Sequence, residues 1–370
     1  MTMTELAPEV EHTGHQRLPG HQLKVRQSTP ILCRATSLGR SRGELARARQ
    51  QRGDRRHRIG AKQRQFERAL DIPRKGMGGQ QPGDLLEIEY LDIIPESYGW
   101  TRARPDAGFV RGVIDTPILV NWELKDGWAT APEIPGVYIP AGPFMGTAGL
   151  APSHSQVREW TRRETDLVER GGAAQLPDPQ DAVPSSEPIA SEGLRTAPPR
   201  ENGGNFDIKQ LTKGSKLLVP VTVRGGLYSA GDAHFAQGDA ECCLTAIEMG
   251  ATVAVRFQVL KGEAERHNIS FPRFTHPGMF AAGEWAAPKN FIATMGMPIT
   301  EEGTQENGDL NLAARNALIQ MIDLLRDRGF TKEQAYVICS VAVDLKISNA
   351  VDMPNVTVSA FLPEAIFQRD

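Results

Sequence analysis

The first clear alternation of apolar and polar positions follows the turn signature Gln81-Pro82-Gly83-Asp84. From there Leu86, Ile88 and Tyr90 fall on one side and Glu87 and Glu89 on the other. A period of two predicts a half-buried strand. Residues 251–260 repeat the pattern, with Val253, Val255, Phe257 and Val259 against Thr252, Ala254, Arg256 and Gln258. Shorter apolar runs bounded by Gly and Pro predict further strands at 112–119, 136–140, 217–223, 227–232, 242–248 and 356–362.

The helical period is confined to three places. Ser153 is placed to cap a helix whose stripe is Val157, Trp160, Thr161 and Leu167, ending at Gly171-Gly172. Leu310, Ala314, Ala317, Leu318, Met321, Leu324 and Leu325 share one face of a second helix, stopped by Gly329. Thr331 and Gln334 form a capping-box pair for a third, running to about Val341. Between them, the prolines at 177, 179, 184, 188, 198 and 199 predict a long loop over residues 173–200, without regular structure. The pattern as a whole is mainly β with a smaller α/β portion.

Composition changes this picture at one end only. The 370 residues carry a net charge of −3, which argues against a general nucleic-acid binder. Residues 1–80, however, hold 14 Arg and 3 Lys against 7 acidic residues, with Phe66 as their one aromatic. This basic segment shows no sustained apolar period. It reads as a polyanion-binding arm, a disordered extension, or an out-of-frame translation, and the folded body is expected over 81–370. No apolar run reaches the roughly 18 residues of a membrane span, and the first residues do not form a secretory signal. Cys33, Cys242, Cys243 and Cys339 include no Cys-x-x-Cys pair, which suits a reduced, cytoplasmic protein with buried thiols.

The densest chemistry lies in Gly231-Asp232-Ala233-His234-Phe235-Ala236-Gln237-Gly238-Asp239-Ala240-Glu241. On a pleated strand Asp232 and His234 point to one face, so a carboxylate and an imidazole are placed to share a divalent ion such as zinc. Gln237-Gly238-Asp239 reads as a turn, after which Asp239 and Glu241 share a face. Amide hydrolysis requires an activated water, stabilisation of an oxyanion and a proton for the leaving amine. Upstream, Asn202-Gly203-Gly204-Asn205 with Asp207 offers a glycine loop whose backbone N–H groups could meet a carbonyl oxygen. On spacing alone, an ordinary hydrogen-bonded Asp–His pair and two ordinary turns explain the same residues.

The order of these motifs resembles the acetamidase/formamidase family. Pro199-Arg200-Glu201-Asn202-Gly203-Gly204-Asn205-Phe206-Asp207, then Gly231 to Glu241, then Ala246-Ile247-Glu248 match its signature stretches, and Gly149-Leu150-Ala151-Pro152 and Asp352-Met353-Pro354-Asn355 match others. The likeness runs from about residue 82 to the end. It implies a β-sandwich-like core with a barrel-like part, hydrolysis of short linear amides to carboxylate and ammonia, and a homo-oligomer. Carried over by position, Asp232, His234, Gln237, Asp239 and Glu241 are the site candidates. Their chemistry makes Glu241, Asp239 and Gln237 the catalytic candidates, with Glu241 as general base, and Asp232 and His234 the candidate metal ligands. Asn202, Gly203, Gly204, Asn205 and Asp207 are the candidate substrate-binding residues. No organic cofactor is implied. The chain departs from the family at Ala240, where glycine is usual, and before residue 81, where the family's first strands are not recognisable. The competing classes are a non-catalytic β-rich binding protein and, on Cys242-Cys243, a thiol hydrolase. An apolar setting disfavours the latter.

Overall fold

A computed structural model describes residues 31–35, 79–180, 185–194, 197–278 and 290–367. Strands β1 to β14 are Ile31–Ala35, Leu85–Ala103, Ile118–Lys125, Trp128–Thr130, Ile139–Pro140, Phe144–Gly149, Gly203–Asn205, Lys216–Pro220, Ser229–His234, Glu248–Leu260, Arg273–Thr275, Phe291–Gly296, Asp344–Asn349 and Thr357–Pro363. Helices α1 to α5 are His154–Glu169, Ile189–Glu192, Glu263–Arg266, Leu310–Asp327 and Lys332–Ala342. Among the described residues strand outweighs helix, 34% against 21%, so the class is mainly β as the periodicities predict. The sheets are open and not closed barrels.

The large sheet is organised by β2, the strand that the Leu86 alternation announces. One edge of β2 pairs with β8 through Leu85–Glu89 and then with β3 through Tyr98–Ala103. Its other edge pairs with β10 almost end to end. From β10 the sheet continues through β9 and β6 to β7. Leu86, Ile88, Tyr90, Val253 and Val255 are buried, as their period of two requires. The second sheet, β12-β14-β13, is covered by α4, whose Ala317 carbonyl accepts a 2.7 Å hydrogen bond from Thr294 Oγ1.

The helix caps match the sequence. Ser153 and Gln156 form a capping box on α1, and Thr331 and Gln334 form one on α5.

Four expectations are corrected. Residues 112–119 are mostly turn, with Gly112 N bonded to Pro105 O at 2.9 Å, and the strand begins only at Ile118. Of 136–140, only Ile139–Pro140 is strand. The apolar run 242–248 is not a strand up to Glu248, because side chains of α5 take its backbone bonds. Tyr336 Oη donates to Cys242 O at 2.6 Å, Ser340 Oγ accepts from Cys243 N at 3.1 Å and Ser340 Oγ donates to Thr245 O at 2.8 Å. The loop 173–200 contains the short helix α2, which starts directly after Pro188, a position where proline costs a helix no bond.

One strand arises within the basic segment, where the sequence pattern indicates none: β1 pairs antiparallel with β10, Ile31 opposite Val255. The remaining expectation for residues 1–78 lies outside the described residues.

Candidate active site

Strand β6 sits between β9 and β7 and brings three distant segments into register. His234 lies opposite Phe144, Gly231 opposite Thr147, and Asn205 opposite Thr147 on the other edge. Gly146 stands at the centre of this arrangement. A Cβ there would fall 2.6 Å from Asp207 Oδ1 and 2.7 Å from His234 Cε1. The absence of a side chain therefore makes room for the cluster. Nothing in the sequence pattern singles out Gly146.

His234 is fully buried, and four carboxylates surround its ring. Nε2 is 3.4 Å from Glu248 Oε2, 3.6 Å from Asp232 Oδ1 and 4.0 Å from Glu241 Oε1, while Nδ1 is 4.0 Å from Asp207 Oδ1. Burial alone would disfavour the imidazolium, but the adjacent Glu248 and Asp232 charges outweigh it and hold the imidazole pKa well above 6.5. Asp232 and His234 thus converge as their spacing predicts, although Asp232 leaves the regular pleat with φ of 59°. Asp207, at φ 50°, and Glu241, at φ 45°, are also left-handed. Such clustering of costly backbone conformations is typical of sites held in place by their surroundings.

Gln237 decides the orientation of the ring. Its Nε2 donates to Asp207 O at 2.7 Å, which leaves its Oε1 facing His234 Nδ1 at 3.1 Å. Nδ1–H is therefore the donor, and Nε2 is aimed at the carboxylates with no well-formed hydrogen bond among the described residues. Thr147 Oγ1 lies 2.7 Å from Asn205 Oδ1 and 3.4 Å from Asp232 Oδ2, so its single proton serves one at a time. Asn205 Nδ2 donates to Asp207 Oδ2 at 2.6 Å.

The Asn-Gly-Gly-Asn stretch is a strand edge as well as a turn. Gly203 and Gly204 have φ of 102° and 122°, and a Cβ on Gly203 would meet Ala148 O at 2.5 Å. Gly203 is needed for close approach to β6, whereas a Cβ on Gly204 would meet Pro199 Cα at 3.3 Å. Asn202 is spent on structure, with Nδ2 donating to Leu150 O at 2.6 Å. Asn205 and Asp207 reach the cluster; Asn202, Gly203 and Gly204 support it from behind.

Asp239 does not share a face with Glu241. The tight turn is centred one residue later than Gln237-Gly238-Asp239 predicts, with Glu241 N bonded to Gly238 O at 3.3 Å and Ala240 at φ 79°. Two successive left-handed residues rotate the chain, so Glu241 faces His234 while Asp239 lies 3.6 Å from Lys209 Nζ. Two participants were given no role by the sequence. Glu248 stands in the Ala246-Ile247-Glu248 signature stretch, and that family match was its signal. Lys209 is buried with Asp344, in ion-pair contact.

Two triads have the donors of a metal site within 4.8 Å of one another: Asp232, His234 and Glu248, all buried, and Asp207, His234 and Glu241, of which the carboxylates are half-buried. Among the described residues the cysteines offer no rival. Cys242, Cys243 and Cys339 are free and buried, and burial pushes their thiols up, away from the reactive thiolate. Ser153 is committed to its helix cap. No described helix is long and apolar enough to cross a membrane.

An imidazole set among carboxylates on a mainly β scaffold has the groups to move a proton or to hold a cation. The chain belongs to the Acetamidase/Formamidase family, whose profile matches residues 75–369. It is 31% identical to the formamidase of Methylophilus methylotrophus over 80% of this chain and 76% of that protein. It is 32% identical to the acetamidase of Mycolicibacterium smegmatis over 70% of each. Among solved structures, the gamma lactamase from Delftia acidovorans superposes with a TM-score of 0.73 at 31% identity, over 79% of this chain and 75% of that one.

Proposed function

We propose that this chain hydrolyses the C–N bond of short linear amides to a carboxylate and ammonia, with Glu241 as general base and a divalent ion such as zinc held by Asp232, His234 and Glu248. The observation that carries this reading is His234 Nε2, aimed by Gln237 into three carboxylates, the nearest 3.4 Å away. The donor set fits such an ion: imidazole nitrogen and carboxylate oxygen are its usual ligands, the ion would take the place of the Nε2 proton that the carboxylates otherwise hold, and a ligating histidine donates its other N–H to an oxygen acceptor. Bound there, the ion supplies Lewis-acid polarisation of a carbonyl and an acidified water.

The division of labour follows burial. Asp232, His234 and Glu248 are 7%, 0% and 2% exposed and form the closed floor. The side chains of Glu241 and Asp207 are 11% and 16% exposed and face the open side. Glu241 takes a proton from the attacking water as its oxygen bonds to the amide carbon. It returns that proton to the nitrogen as the C–N bond breaks. Gln237 keeps the imidazole and Asp207 in place, and Asn205 with Thr147 orients Asp207 and Asp232. Family likeness supports a homo-oligomer, and Cys242, Cys243 and Cys339, free among the described residues, suit a reducing, cytoplasmic setting.

The test is turnover of formamide, acetamide and a γ-lactam, with and without chelator, in wild type and Glu241→Gln. A loss of about 10²- to 10⁴-fold in the variant is expected, as is loss of wild-type activity with chelator. No turnover of any amide favours a non-catalytic binding protein. Unchanged activity in Glu241→Gln removes that residue as base, and chelator-resistant activity without bound metal removes the ion.

A further inference from the structure

Glu241 reaches His234 from a turn closed by one long internal bond, Glu241 N to Gly238 O at 3.3 Å. Ala240 and Glu241 have φ of 79° and 45° in succession, a conformation that L residues avoid because Cβ crowds the following carbonyl. Something outside the turn must keep it there. On one side Gly238 lies flat against the end of α5 and the start of β13. Its N–H donates to Ser340 O at 2.9 Å, and a Cβ on it would meet Cys339 O at 2.8 Å. On the other side stand Lys209 and Asp344.

The Lys209 side chain is 5% exposed, and its ammonium contacts Asp344 directly and Asp239 at 3.6 Å. Asp344 Oδ1 accepts from the Asp239 backbone N–H at 3.3 Å as well as from Lys209. The pair therefore grips Asp239 twice, by its backbone and by its carboxylate, one residue before the left-handed step. Lys209 also lies two residues beyond Asp207, whose carbonyl accepts from Gln237. One buried ammonium thus links both carboxylate-bearing segments that face His234 from the open side. A buried ion pair contributes little to stability compared with apolar residues of the same size. What it adds here is the direction in which the turn faces.

We propose that Lys209, through Asp344 and Asp239, is the positioning residue that holds Glu241 against His234. The kinetic consequence rests on Glu241 being the general base; the placement does not. Asp344 opens β13, so the C-terminal α/β layer takes part in forming a site whose other members all come from the large sheet and its loops.

The test uses the full chain carrying Lys209→Met with Asp344→Asn. This removes one buried charge of each sign and leaves Asp239, whose side chain is 29% exposed, to water. The single Lys209→Met change strands two facing carboxylates and serves as the comparison. In a crystal structure of the double variant, Glu241 Oε1 is expected to withdraw from its 4.0 Å approach to His234 Nε2. Displacement of reacting groups by about 1 Å costs about 10²-fold in rate, so kcat is expected to fall by about one to two orders of magnitude with KM nearly unchanged. In a Glu241→Gln background, the same two changes are expected to add no further loss. A folded double variant with Glu241 still against His234, or with wild-type kcat, overturns the proposal. If Glu241→Gln alone keeps full turnover, the base assignment falls, and the crystallographic result still decides the placement.

Discussion

Glu248 Oε2 lies 3.4 Å from His234 Nε2, and the two residues face each other across adjacent strands, β10 and β9, at their one paired position. Glu248 is 2% exposed, so its charge has no water to rely on and must be compensated by the imidazole or an ion. Glu248→Gln keeps the size and removes the charge. Activity is expected to fall at least about 10²-fold, as when one well-placed electrostatic group is lost. Elemental analysis is expected to show less bound metal, with the circular dichroism spectrum of the wild type retained. Full metal content and full turnover in Glu248→Gln would remove it from the site.

Gly146→Ala tests the space at the centre of the cluster. The new methyl group would stand 2.6 Å from Asp207 Oδ1 and 2.7 Å from His234 Cε1, and the backbone of β6 is held on both edges. The side chains must move, and overpacking of this kind costs about 1–3 kcal/mol. Turnover is expected to fall by at least about tenfold. A variant as stable and as active as wild type would show that the cluster does not need this gap.

Ala240→Gly is expected to stabilise the protein. Ala240 is exposed and at φ 79°, so removing its Cβ relieves about 1–2 kcal/mol and loses little burial. The greater freedom of glycine in the unfolded chain takes back about 0.4–1 kcal/mol. The net gain is about 0.5–1 kcal/mol, readable as a higher urea midpoint at unchanged slope. A lower midpoint would show that the alanine methyl makes a contact worth more than its strain.

Acid is expected to loosen the start of β2. Burial alone would raise the Asp84 carboxyl, but hydrogen bonds from Lys261 Nζ at 2.8 Å, Gln81 N at 2.8 Å and Gly262 N at 2.9 Å outweigh it and hold the group below 3.8. A carboxyl lowered on folding contributes stability that is full above its unfolded value and is lost as pH falls through its folded value. Asp84→Asn is expected to cost about 1–3 kcal/mol at pH 7. Below pH 3.8 the gap to wild type should narrow, and urea midpoints at pH 7 and in acid check this. A constant gap would show that Asp84 acts by shape and not by charge.

What the sequence determined about this protein is what neighbouring residues decide among themselves. Ser153 with Gln156 and Thr331 with Gln334 set helix starts because a capping box spans three residues. The alternation at Leu86 and at Val253 sets β2 and β10, since burying one face needs only a period of two. Asp232, His234, Gln237 and Glu241 could be read as a site because they lie within ten residues and in a family order. The tertiary structure decided the rest. The 242–248 run looks like a strand by its apolarity, yet Tyr336 and Ser340 hold its backbone from about 95 residues away. Asp239 parts from Glu241 because two left-handed residues follow it, in a turn that packs on Ser340, Lys209 and Asp344, all distant in the chain. Gly146 and Glu248 become site residues through strand pairing with β9. Local propensity acts over a turn or a pleat, whereas a reactive cluster is made by close packing of segments far apart in the chain, and one-dimensional spacing does not carry that information.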